Sequence, residues 1–153
     1  MMTGDEMQFV VFRLGSQELA LSIFEVERIL RYEAPATLPN APEFLAGVMP
    51  YGQRVVPLVD LRKRIGLEAT YREETRVMVV RCEEQQVAVV VDLVVEVLRV
   101  DSTTITAPPS MVRGLPANCI SGMIARPGRT IVVLTAARLL SSSERLALSE
   151  TLA

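Results

Sequence analysis

Short apolar runs separated by polar turns organise this chain. Phe9 to Leu14 is a β-branched and aromatic run, Gly15-Ser16-Gln17 is polar, and Glu18 to Leu21 is apolar again, a pattern that predicts a β-hairpin. Ser22-Ile23-Phe24-Glu25 then has the form of a capping box. The helix it would start places Ile23, Val26 and Leu30 on one face and leaves Ile29 displaced from that stripe. The proline-spaced segment Glu33 to Pro42 cannot be regular helix, and a single helical turn is expected over Glu43 to Ala46, ending at Gly47. Val48-Met49 and Val55 to Val59, joined through Pro50-Tyr51-Gly52-Gln53, predict another hairpin. Asp60 is placed to cap a short helix, Leu61 to Ile65, that Gly66 stops.

The pattern then repeats. Val77 to Arg81, a turn at Glu83-Glu84-Gln85 and Val87 to Val91 predict a second hairpin, 68 residues after the first as counted from Glu18 to Gln86. Leu93 to Val97 matches the first helix but is Val-rich, so it is expected to be extended. Ile120 to Ala125 and Thr130 to Leu134 form the last predicted hairpin, and Arg54 to Arg62 aligns with Thr130 to Arg138 at a spacing of 76. Thr106 to Asn118 is the longest predicted loop, and its Met111, Val112 and Leu115 are expected to lie as a flap over the seam between the copies. The tail from residue 136 to 153 should be helical, capped at Ser141-Ser142-Ser143-Glu144. One domain over 7–148 is expected, with halves at roughly 7–67 and 75–135. Each half, about 70 residues, is marginal as an independent core, so the two are expected to share one.

Composition narrows the chemistry. Half of the 153 residues are hydrophobic but only 5% are aromatic, so the core is aliphatic and favours sheet. A net charge of −2 argues against nucleic acid as the main partner. The chain contains no histidine, which excludes the usual triads and His-ligated metals. Cys82 and Cys119 lack CxxC spacing; their number admits a disulfide, but Met1 to Glu6 does not read as a signal peptide, so reduced thiols and a cytoplasmic location are expected. No apolar run is long enough to span a bilayer, so no direct membrane insertion is expected. Asp92 and Glu96 lie four apart without a glycine-lined cleft or basic partner, which makes an acid–base enzyme a poor reading. No cofactor and no metal is expected.

Several stretches in order resemble the CheW-like domain of bacterial chemotaxis across nearly the whole chain. They are Phe12-Arg13-Leu14-Gly15, Leu38-Pro39-Asn40-Ala41-Pro42-Glu43-Phe44-Leu45-Ala46-Gly47-Val48, Val55-Val56-Pro57-Leu58-Val59-Asp60-Leu61-Arg62, Val90-Val91-Asp92 and Ile120-Ser121-Gly122. The resemblance implies an all-β fold with minor helices: two pseudo-symmetric SH3-like five-stranded β-barrel subdomains around a shared hydrophobic seam, with a short C-terminal helix. It further implies a non-catalytic adaptor that couples methyl-accepting chemoreceptors to a CheA-type histidine kinase. The receptor's cytoplasmic hairpin tip would enter the seam, and the kinase regulatory domain would meet the outer ends of the subdomains.

Candidate contact residues are Val26, Glu27, Ile29, Leu30, Val48, Gly52, Arg62, Val91 and Val97. Ser22, Gly47, Asp60, Gly66 and Asp92 are expected to serve the backbone. The chain departs from the family pattern at Pro50 to Gln53, where Asn-Leu-Arg-Gly is usual, so Gly52 stands in place of an arginine; Arg28 stands where an acidic residue is frequent. These departures suggest an adaptor of a specialised pathway, such as surface motility or gene regulation. Outside the class, the twin barrels could bind a small ligand in the seam.

Overall fold

The computed structural model describes residues 5–107 and 117–152, and the apolar runs pair there into two sheets. The strands are β1 (Glu6–Leu14), β2 (Gln17–Ser22), β3 (Val26–Arg31), β4 (Leu45–Tyr51), β5 (Arg54–Asp60), β6 (Arg76–Cys82), β7 (Gln85–Val91), β8 (Leu93–Asp101), β9 (Ile105–Thr106), β10 (Ile120–Arg126) and β11 (Arg129–Leu134). Helix α1 (Leu61–Arg64) follows β5 and helix α2 (Ser142–Leu152) ends the chain. One sheet runs β8-β1-β2-β11-β10-β9 and the other β3-β6-β7-β5-β4. The short β9 makes the first sheet six-stranded where five were expected.

The strand pairing crosses between the expected halves, 7–67 and 75–135. The β1–β2 hairpin of the first half pairs with β8 and, in parallel, with β11 of the second half. Reciprocally, the β6–β7 hairpin pairs with β3 and, in parallel, with β5 of the first. Each sheet is therefore assembled from both halves, because each hairpin completes its hydrogen bonding only on strands of the other repeat.

This exchange explains the unbroken apolar runs. Val10, Phe12 and Leu14 point into a core shared between the sheets, while Phe9 and Val11 point into the interior of their own sheet. Across the repeat, Val87, Val89 and Val91 fill the shared core and Ala88 and Val90 the interior of theirs. Strands buried on both faces must be apolar at every position, not at alternate ones. At roughly 1.5–3 kcal/mol per buried Val or Leu side chain, this doubly buried layer dominates the stability.

Two local expectations are corrected. The segment after Ser22 is not a helix. Ser22 to Glu25 makes a tight turn in which the Glu25 amide donates to the Ser22 carbonyl at 2.9 Å, and Val26 to Arg31 continues as β3 against β6. The sequence has both helical spacing and β-branched residues, and pairing with a buried strand 50 residues away decides between them. Gly47 does not end a helical turn either. It lies within β4 at a bulge opposite Leu58, with φ +157°. A Cβ there would collide with the Ala36 carbonyl oxygen and press on Pro35 at 2.9 Å, so glycine is required by close approach of backbone.

Other ends behave as their residues dictate. Asp60 accepts from the Arg62 amide at 3.1 Å and caps α1, and Gly66 takes φ +76° beyond it. At α2 the Ser141 hydroxyl accepts from the Glu144 amide at 3.1 Å while the Glu144 carboxylate accepts from the Ser141 amide at 2.8 Å, a complete capping box. Leu139, Leu140 and Leu148 carry this tail into the shared core. Of the predicted flap, Met111, Val112 and Leu115 lie outside the described residues.

Candidate functional site

The seam between the sheets presents its accessible margin at the two free edges next to the exchanged hairpins, β3 and β8. Ile29 on β3 pairs with Met78, and Val97 on β8 pairs with Val10; both partners belong to the shared core. Ile29 and Val97 occupy the same position in the repeat, 68 residues apart, and they are 39% and 57% exposed. Three residues earlier, across the register shift in each strand, Val26 and Val94, again 68 apart, are both half-buried against the shared core. The margin therefore offers a two-fold-related pair of apolar positions on each edge strand, with a polar surround.

That surround is ordered. Glu27 accepts from Arg81 at 2.6 Å and from Gln86 at 2.7 Å, and these bonds hold its carboxyl below the ordinary range. Arg129 donates to Glu18 at 2.8 and 2.9 Å and pairs with Glu96 at 2.8 Å, so Glu96 serves an ion pair. The Arg129 hydrogen bonds lower the pKa of Glu18 despite its burial. A carboxylate stabilised on folding supports the fold above its unfolded pKa and loses that support as pH falls through the folded value. Glu18→Gln is accordingly expected to lower stability at neutral pH and to flatten the acid limb, the variant and parent converging as pH falls below about 4.5, as read from urea midpoints across pH.

Behind the margin, a buried charge network ties the repeats together. Arg62 is 0% exposed and grips Asp60 with two bonds, Nε to Oδ1 at 2.9 Å and Nη2 to Oδ2 at 2.8 Å. Its Nη1 donates to Asp92 Oδ1 at 3.0 Å and to the Thr70 carbonyl, and Asp92 Oδ2 accepts from the Gly15 amide at 2.6 Å. Tyr71 stacks on Tyr32 at 4.3 Å and lies 4.9 Å from the Arg62 guanidinium, closing the network from outside. Burial, then the Tyr71 phenol beside it, pushes Tyr32 up to about 12.

Three candidate contact residues are thereby corrected. Arg62 is not a solvated cation; its fork is consumed by Asp60 and Asp92. Val91 is 0% exposed within the shared core, and Val48, in β4, is 8% exposed. Glu27, Ile29, Gly52 and Val97 are exposed, and Val26 and Leu30 half-buried. Gly52 sits at the tip of the β4–β5 hairpin with φ +61°, a backbone that would cost an arginine roughly 1–2 kcal/mol. The capping-box pattern marked Glu25, whose Oε1 accepts from the Ser22 amide at 3.2 Å even though no helix follows; its second bond, from the Ala136 amide to Oε2 at 2.8 Å, had no sequence signal, because Ala136 is brought there only by the fold.

Among the described residues no group of three or more acidic, Cys or His side chains is placed to hold a metal, and no helix is long and apolar enough to cross a membrane. The fold is a β scaffold of two interleaved sheets whose accessible features are apolar edges and ordered ion pairs. The chain belongs to the CheW-like domain family, whose model matches residues 8–144. It is 31% identical over 138 residues to the chemotaxis protein CheW of Klebsiella aerogenes, covering 90% of this chain and 83% of that one. It is 27% identical to the chemotaxis protein CheW of Rhizobium meliloti, with 94% of each chain covered. The crystal structure of the scaffolding protein TtCheW from Thermoanaerobacter tengcongensis superposes with a TM-score of 0.77 at 25% identity, covering 88% of this chain and 86% of that one.

Proposed function

We propose that this chain is a non-catalytic chemotaxis adaptor that holds a chemoreceptor's cytoplasmic hairpin tip at the seam while engaging the regulatory domain of a CheA-type histidine kinase. The observation that carries this reading is the repeat-related pair Ile29 and Val97, apolar and exposed on the two edge strands of one shared core. A helical partner buries such positions by laying its apolar face along them. By holding two proteins at once, the adaptor raises their effective concentration for each other, and receptor state reaches the kinase as a shift in populations.

The first test is calorimetric titration of the chain with the kinase regulatory domain and, separately, with a receptor-tip fragment. Val97→Asp, which places a charge where apolar contact is expected, should weaken receptor-tip binding about 30-fold or more, the scale of an interface hot spot. Its unfolding midpoint should stay near that of the parent, since the position is exposed. Unchanged receptor-tip affinity in a folded Val97→Asp variant sinks the seam as the receptor site.

A further inference from the structure

The polar cavities of the molecule differ in charge. The one between β1 and the linker after α1 is lined by Arg13 and Arg72, and also by Glu68, Glu74 and Asp92, so its cations are answered. A second cavity, of about 370 Å³, lies where α1, the 3₁₀ turn Ala136–Arg138 and α2 meet. Arg64, Arg138 and Arg145 line it, one from each of those three elements, against the single carboxylate of Glu83. Counting Glu144, which pairs with Arg64 from α2, three cations still meet two carboxylates. Like charges gathered around one space repel each other unless an anion joins them.

Two of the three guanidiniums are held in place. Arg64 Nη1 donates to Glu144 Oε2 at 2.6 Å. Arg145 Nη1 donates to the Ala137 carbonyl at 2.8 Å and pairs with Glu83 at 3.4 Å, while its Nη2 donates to the Ser142 hydroxyl at 3.4 Å. Arg138 is exposed and its side chain has no partner among the described residues. Each guanidinium carries five N–H donors, so Arg64 and Arg145 keep donors beyond those already used. Asn118 and Ser142 add neutral polar groups to the lining. No aromatic ring lines the cavity among the described residues, so it offers no face on which a nucleobase would stack.

We propose that this cavity binds a small phosphomonoester, its phosphoryl oxygens taken by Arg138 and the remaining N–H groups of Arg64 and Arg145, and its body by Asn118 and Ser142. Guanidinium forks match the spacing of phosphoryl oxygens, and two forks fixed beforehand lower the ordering cost of binding. The bound anion joins α1 of the first repeat to α2 at the end of the chain, so ligand concentration sets how firmly the helical tail is held to the body. This site goes beyond the adaptor reading and does not depend on it.

The test is calorimetric titration of the full chain with inorganic phosphate and with glycerol 3-phosphate, in chloride buffer at constant ionic strength. Phosphate should bind with a dissociation constant of about 1 mM or tighter, and glycerol 3-phosphate at least as tightly, since the cavity extends past one phosphoryl group. Arg138→Ala should weaken both about 10-fold or more, with the unfolding midpoint in chloride unchanged because the side chain is exposed and unpaired. Glu83→Gln should tighten binding about three-fold by removing the opposing charge, a gain that a purely structural role for Glu83 does not produce. Arg126→Ala, which removes an exposed arginine on β10, should change neither affinity by more than about two-fold. No binding of either compound up to about 10 mM, affinity untouched by Arg138→Ala, weaker binding in Glu83→Gln, or an equal loss in Arg126→Ala overturns the site. Binding of phosphate with exclusion of glycerol 3-phosphate overturns the phosphomonoester assignment. Each of these outcomes leaves the adaptor reading standing.

Discussion

Replacing Arg62 by leucine is expected to destabilise the chain by about 3–5 kcal/mol, the range for stripping one member from a buried ion pair. The guanidinium is 0% exposed and the Asp60 carboxylate 1%, so removal leaves a charge with no access to water. Asp60 would retain only the Arg62 main-chain amide and a Tyr71 hydroxyl 3.5 Å away. The loss extends further, since Asp92 and the Thr70 carbonyl give up a donor in the same step. Arg62→Lys should recover only part of it, because an ammonium cannot reproduce the two-pronged grip on Asp60. Adding Asp60→Asn to Arg62→Leu should restore a kcal/mol or more by removing the stranded charge, a coupling read from urea midpoints in a double-mutant cycle. An Arg62→Leu loss below about 1 kcal/mol would show that the network does not hold the repeats together.

Cutting the chain in the linker after Gly66 is expected to leave two fragments that fold only together. Residues 1–67 keep β1 to β5, yet β1–β2 would lose β8 and β11, and β3 and β5 would lose β6 and β7. The complementary fragment, 68–153, is stripped in the same way. Each would expose long apolar strands with unpaired edges, and neither could bury its core alone. Circular dichroism of the separate fragments should show disordered or aggregating chains, and an equimolar mixture should recover the sheet spectrum of the intact protein. A half that unfolds cooperatively by itself would mean that the strand exchange is not what unites the fold. The intact chain should correspondingly melt in one transition, despite its two sheets.

This interleaving bears on the proposed role. A seam made from both repeats cannot open by parting two independent beads, so its edge positions are held in fixed relation. Contact surfaces carried on such a frame transmit the arrangement of one partner to another with little loss in slack, as a scaffold between receptor and kinase requires.

Sequence alone determined what local interactions decide. The hairpins, the Asp60 cap and the capping box at α2 depend on residues within a few positions of one another, and their patterns were legible without the fold. The doubled pattern also announced two similar modules with a common core, and the ordered motifs pointed to the CheW-like family. Tertiary structure decided what depends on distant partners. Val26 to Arg31 became a strand because β6 offered a buried edge, and Gly47 became a close-approach residue because Ala36 packs against it. Arg62 reads as one of three consecutive basic residues on a short helix, and the folded chain encloses it by bringing Asp92 from a distant segment and laying Tyr71 of the following linker over it. The exchange of hairpins between repeats left no trace in the pattern at all, since a run buried on both faces looks the same whichever half supplies its neighbours. Periodicity records which faces are covered; the identity of what covers them is a property of the assembled chain.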